Sequence, residues 1–144
     1  MAKYEADICV IAAGPAGLSA AVQAAQDGAS VLVVEKSSVP GGAANMGMGP
    51  LGIGTKYQKE NMYYLSVEKA FNMFMEYTHY NADARLIKRY FNQSAETIEW
   101  LEDMGVEFEG AFRYFPKSEA TWHIVKTDQG IGPRAASFMN KALL

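Results

Sequence analysis

Apolar positions along this chain follow two rhythms, one for buried strands and one for amphipathic helices. Residues 6 to 13, ADICVIAA, are a nearly unbroken run of apolar and β-branched residues ending at Gly14, the pattern of a parallel strand buried on both faces. From Pro15 or Ala16 to Asp27 the spacing changes: Leu18, Ala21, Val22 and Ala25 recur three and four residues apart, which predicts a helix capped by Gly28. Alanine dominates its apolar face, so the helix can lie close to a sheet. Residues 29 to 36, ASVLVVEK, return to the buried-strand pattern and close on an acid. Together these elements make one βαβ unit.

The rhythm then stops. Residues 37 to 55, SSVPGGAANMGMGPLGIGT, hold six glycines and two prolines, which predicts a long loop without regular structure. A loop of that length in a compact domain is commonly functional, and glycine-rich backbone marks close approach to a ligand. Helical spacing resumes over 60–78, with Tyr64, Val67, Phe71, Phe74 and Met75, and again over 83–104, with Leu86, Ile87, Tyr90, Phe91, Ile98 and Leu101 before Gly105. VEF and TWHIVKT read as short strands, and GPRAASFMNKALL starts another helix with Pro133 near its first turn. The pattern predicts an α/β fold, a Rossmann-like FAD/NAD(P)-binding domain with a parallel βαβ start followed by helices. Residues 1–144 have the size of one domain. Apolar residues still arrive at Leu144, so an incomplete fold is expected, with self-association or a partner subunit covering the unburied surface.

Composition narrows the partners. The chain is 49% hydrophobic and 20% charged, with a net charge of -3 and no block of Lys or Arg, which argues against nucleic acid and anionic membrane surfaces. No apolar run is long enough to span a bilayer, and the lead into the first strand lacks an export signal, so a cytoplasmic protein is expected. Cys9, the only cysteine, permits no internal disulfide and is expected to be a small core residue.

The candidate chemistry lies at A-A-G-P-A-G, residues 12 to 17. Exposed amides at a helix N-terminus, aided by its dipole, hold a pyrophosphate without basic side chains, provided the backbone can approach closely. Gly14 stands where a side chain would strike phosphate and Gly17 where helix meets strand, with Pro15 and Ala16 between them. Ala12 replaces the first glycine of G-x-G-x-x-G, which is tolerable as long as its φ stays negative. Glu35 follows 21 residues after Gly14, where a carboxylate accepts hydrogen bonds from the hydroxyls of an adenosine ribose, with Lys36 beside it. These features call for FAD or NAD and do not choose between them.

With the paired glycines behind that acid, the chain resembles the FAD-dependent fumarate reductase and succinate dehydrogenase flavoprotein group. The resemblance rests on DICVIAAGPAGLSAA, on VEK, on PGGAANMGMG and on SAETIEWLEDMGVEF, and it extends over nearly the whole chain. It implies that Gly41, Gly42, Ala43 and Ala44 run beside the pyrophosphate and that Gly47, Met48 and Gly49 pass under the flavin ring. Family members with covalent flavin use a histidine in this loop, and none lies between Ser37 and Thr55, which implies noncovalent FAD. The implied activity is reduction of an activated C=C bond in a small-molecule substrate, or the reverse. The family's catalytic acid and substrate-clamping residues belong to segments beyond this stretch, so no catalytic residue is assigned. Two other readings stay open: a non-catalytic nucleotide-binding piece that needs a partner chain, and an NAD-binding domain.

Other candidates are weaker. His123 is either near the active site or directed to solvent, and His79 is a companion of a helix C-terminus. Two isolated histidines make no metal site. Met46 and Met48 are candidates for soft contact with the ring. Glu96, Glu99, Glu102 and Asp103 read as a solvated helix face, and Arg113 and Lys117 stay unassigned.

Overall fold

The computed structural model describes residues 3–127 and Leu143. Strand β1 (Ile8–Ile11) and strand β2 (Val31–Val34) pair in parallel, Ile8 opposite Val31 through Ile11 opposite Val34, and helix α1 (Pro15–Gln26) connects them. Gly28, at φ 93°, turns the chain after α1 as expected. Both strands are shorter than the apolar runs suggested, and they are not buried on both faces. Val33 packs against the core, whereas Ile8, Ile11 and Val34 are exposed, Ile11 to 84%. Cys9 is likewise exposed, which corrects its expected place in the core. The physical reason is that, among the described residues, these two strands form a sheet on their own.

The expected helix over 60–78 begins later, as α3 (Val67–Tyr77), and a short helix the sequence reading did not assign, α2 (Lys56–Glu60), ends where it was expected to start. Thr55 starts α2 with a reciprocal capping box to Gln58, and Ser66 caps α3 by accepting from the Lys69 amide. Two capping hydroxyls eleven residues apart impose two starts, and apolar spacing alone could not register the break between them. Helix α4 (Ala84–Asp103) matches its predicted span, with Asp83 accepting from the amides of Arg85 and Leu86. Strands β3 (Phe108–Phe112) and β4 (Trp122–Val125) then form an antiparallel pair with an irregularity at Phe108–Gly110. The helix expected over 132–144 lies outside the described residues.

Two apolar clusters hold these parts together. Leu18 of α1, Ile98 and Leu101 of α4, Phe108 and Val125 form one, and Ile53, Leu65, Ala70 and Phe91 the other. Burying a side chain of this size stabilises the fold by about 1.5–3 kcal/mol, so α4, which enters both clusters, is the central strut.

Ala12 departs from what the sequence allowed. Its φ is +85°, in the left-handed region that costs a non-glycine residue about 1 kcal/mol or more. Glycine adopts this φ freely, so Ala12→Gly is expected to raise stability by about 1 kcal/mol. Chemical denaturation of the two proteins side by side measures it.

Candidate cofactor site

The turn between β1 and α1 is held from two sides. Glu35, just past β2, accepts the Ala13 amide through Oε2 at 2.8 Å and the Ser37 amide through Oε1 at 2.8 Å. The Ala13 amide, and then that of Ser37, hold its carboxyl below the usual carboxylate range. The Ala13 carbonyl in turn accepts the Gly41 amide at 2.6 Å. Ala13 is thus the pivot joining the turn, the acid and the glycine pair, a role the sequence did not reveal because it is carried by main-chain atoms.

The glycines separate by what surrounds them. A β-carbon on Gly17 would lie 1.9 Å from the Ala12 carbonyl oxygen, so this position serves helix-to-strand packing. Gly14, the N-cap of α1, has nothing within 4 Å of such a carbon, and no side chain caps the helix. Pro15 has no amide to offer, leaving the first-turn amides of Ala16 and Gly17 without a side-chain acceptor. A β-carbon on Gly42 would sit 3.4 Å from Gly14 Cα, which places the glycine pair against the same turn. Gly41 and Gly42 both have positive φ, 109° and 54°. Ala43, Ala44 and Met46 belong to a 3₁₀ turn, Gly42–Met46, a regular piece inside the expected loop. Lys36 is exposed. Beside Glu35 a 410 Å³ cleft opens between α1 and β2, bordered also by Ser37 and Pro40.

The second half of the loop runs along β4. The Val125 amide donates to Met48 O, that of His123 to Pro50 O, and the Gly52 amide to Thr121 O, each at 2.9 Å. A β-carbon on Gly49 would come within 1.8 Å of His123 O, and Gly47 precedes it in extended backbone. Gly49 therefore meets strand backbone directly.

Behind the loop lies a buried polar web. His123 is fully buried. Its Nδ1 lies 3.1 Å from Thr121 O, which can only accept, so Nδ1 carries the proton and Nε2 accepts from the Thr55 hydroxyl at 2.7 Å. Burial lowers its pKa below the ordinary histidine value. It does not face solvent, which corrects the solvent-facing expectation. Gln58 accepts the Gly54 amide and donates to Ala120 O, each at 2.6 Å, and Ser94 accepts the Ile53 amide at 3.0 Å. Thr55 and Gln58 went unnoticed in the sequence, although T-x-x-Q is a legible capping signature. Glu102 is not merely solvated either: it pairs with Lys56 at 2.8 Å and accepts from Tyr57. Burial, and then Glu102, raise the Tyr57 pKa. His79 is exposed with φ 50°, at the end of α3. Among the described residues no group of three His, Cys, Asp or Glu could hold a metal, and no helix is long and apolar enough to cross a membrane.

An uncapped helix N-terminus, a glycine with open space and a carboxylate fixed to the same turn fit a dinucleotide. Comparisons with known proteins agree. The family described as FAD binding domain matches residues 7–137. The vinyl phenol reductase of Lactiplantibacillus plantarum is 41% identical over 127 residues, covering 88% of this chain and 26% of the relative. A flavocytochrome c3 fumarate reductase in its open conformation superposes with a TM-score of 0.85 at 25% identity, covering 96% of this chain and 24% of that one. A 3-ketosteroid-Δ4-(5α)-dehydrogenase from Rhodococcus jostii RHA1, in complex with 4-androstene-3,17-dione, gives 0.85 at 29% identity, covering 98% and 35%. The chain therefore spans about a quarter to a third of the length of these relatives. With its parallel βαβ start and glycine turn inside the matched stretch, the chain belongs to the FAD binding domain family and is homologous to fumarate reductases and related flavin oxidoreductases.

Proposed function

We propose that this chain supplies the FAD-holding part of an oxidoreductase that reduces an activated C=C bond in a small organic molecule, or runs the reverse reaction, with FAD held noncovalently. The observation that carries this reading is the turn itself: α1 begins without a cap, Glu35 is locked to Ala13, and Gly41–Gly42 lie against Gly14. When bound, FAD supplies hydride transfer. The first-turn amides of Ala16 and Gly17 hold its pyrophosphate, and Gly14 leaves room for it. Each Glu35 oxygen already accepts one amide and keeps a lone pair for a ribose hydroxyl. Ala12, Pro15 and Lys36 shape the rim of the turn, while Ala43, Ala44, Gly47, Met48 and Gly49 line the path toward the ring. No residue of this chain is assigned as the acid that protonates the substrate. The relatives include a vinyl phenol reductase and a fumarate reductase, each named for reducing a compound that carries a C=C bond, which supports this reaction class over plain NAD binding.

Titration with FAD and with NAD, followed by fluorescence, tests the reading. Saturable FAD binding is expected, weakened at least tenfold in Glu35→Gln. Acid precipitation should release the flavin into the supernatant. Preference for NAD, or flavin that stays with the precipitate, sinks the corresponding part.

A second reading is favoured by the exposure of Ile8, Ile11 and Val34. In it the chain is a nucleotide-binding piece whose open sheet is covered by a partner or by another copy. Elution as oligomers in size-exclusion chromatography supports it.

A further inference from the structure

A 430 Å³ cleft lies between α3, α4 and the segment joining β3 to β4, apart from the phosphate turn. Its walls are aromatic and aliphatic: Leu51, Phe74, Tyr77, Tyr114, Phe115 and Trp122. Tyr114 stacks on Trp122 at 5.2 Å and 25°, and meets Phe115 edge-on at 4.7 Å. Tyr77, Tyr114 and Phe115 are nevertheless exposed, at 84%, 58% and 64%. Rings of this size left in water around a concavity are a binding surface rather than a core.

Charge defines what fits. Among the described residues the one charged side chain in the lining is Glu119, and it is paired with Lys69 at 2.8 Å. Arg113 lies over the Tyr63 ring and is not part of the wall. The cleft thus presents no free cation to a carboxylate. The remaining polar side chains of the lining, Ser118 and Thr121, are uncharged.

The cleft is also tied to the glycine loop. Leu51 bridges Trp122 in antiparallel fashion, and the loop's hydrogen bonds to β4 on either side fix that register. Leu51 follows Gly49 by two residues, about 7 Å of extended backbone. A molecule in the cleft therefore sits within one ring's reach of the loop along which the flavin is proposed to lie.

We infer that this cleft is the substrate subsite of the proposed flavin reaction and that it takes a planar, uncharged, apolar ring rather than a small dicarboxylate. This rests on the flavin reading above. The test uses the chain labelled with 5-fluorotryptophan, which gives one fluorine resonance each for Trp100 and Trp122, assigned with Trp100→Phe. It is titrated with 4-ethylphenol and, separately, with fumarate, with and without FAD. A saturable shift of the Trp122 resonance with 4-ethylphenol and none with fumarate is expected. Tyr114→Ala should weaken it about fivefold while Tyr114→Phe retains it. In the FAD-loaded protein the phenol should also perturb the flavin absorption band. FAD binding with a silent Trp122, or a shift that fumarate reproduces, overturns the inference and leaves the flavin reading intact. A Trp122 shift with an unmoved flavin band overturns the substrate role. Saturable phenol binding in a chain that takes up no FAD supports the ligand site and removes the flavin reading instead.

Discussion

Gly17→Ala is expected to lower the melting temperature by about 10 °C and to abolish FAD binding. The added methyl would lie 1.9 Å from the Ala12 carbonyl oxygen, 3.1 Å from its carbon and 3.3 Å from Val10 Cγ1. Two of these are backbone atoms, so relief requires α1 to lift off β1. Overpacking of that kind costs about 3 kcal/mol, a large share of the 5–15 kcal/mol that stabilises an average domain. The companion change separates packing from binding. Gly14→Ala meets nothing within 4 Å and has an ordinary φ of −76°, so stability should fall by less than about 1 kcal/mol. FAD affinity should nonetheless drop about a hundredfold, because the methyl occupies the space the pyrophosphate needs. Calorimetry and FAD titration of both variants give the answer. Equal melting losses in the two would show that the turn does not distinguish its glycines in this way.

His123→Ala should destabilise the fold by about 3 kcal/mol, through the cavity it opens and the Thr55 hydroxyl it leaves without an acceptor. It should also change the dependence on pH. The unfolded chain takes up a proton at this residue as pH falls through about 6.5, whereas the buried neutral ring resists it, its pKa lowered by burial. The stability this residue contributes is thus complete above that pH and is lost as pH falls toward the folded pKa. Between pH 7 and 5 the wild-type melting temperature should fall more steeply than that of His123→Ala. Parallel slopes would remove His123 from the titration.

How much of this could be read in the sequence depended on which atoms carry each feature. The βαβ unit, α4 and the close helix-to-strand contact at Gly17 were legible because they rest on side-chain spacing and on a missing β-carbon. The pivot at Ala13 was not, since its amide and carbonyl do the work and any residue has both. The long helix over 60–78 failed for a different reason: its apolar spacing continues through Asn61–Ser66, and only the capping hydroxyls of Thr55 and Ser66 mark the restart. The burial of His123 was not legible because a strand's alternation gives two faces without saying which is covered, and the cover comes from Thr55 and Tyr57, far away in sequence. Burial of β1 and β2 was overestimated because an apolar run reports what a strand can tolerate and not what lies over it.

The face that the sheet of β1 and β2 leaves exposed among the described residues sets a practical boundary on handling the chain. Unpaired strand rims offer amides and carbonyls to the next molecule, and Ile11 and Val34 stand beside them in water. Collisions between molecules multiply faster than their number, so shelf life in a concentrated sample should be governed by colloidal loss well before heat unfolds the polypeptide.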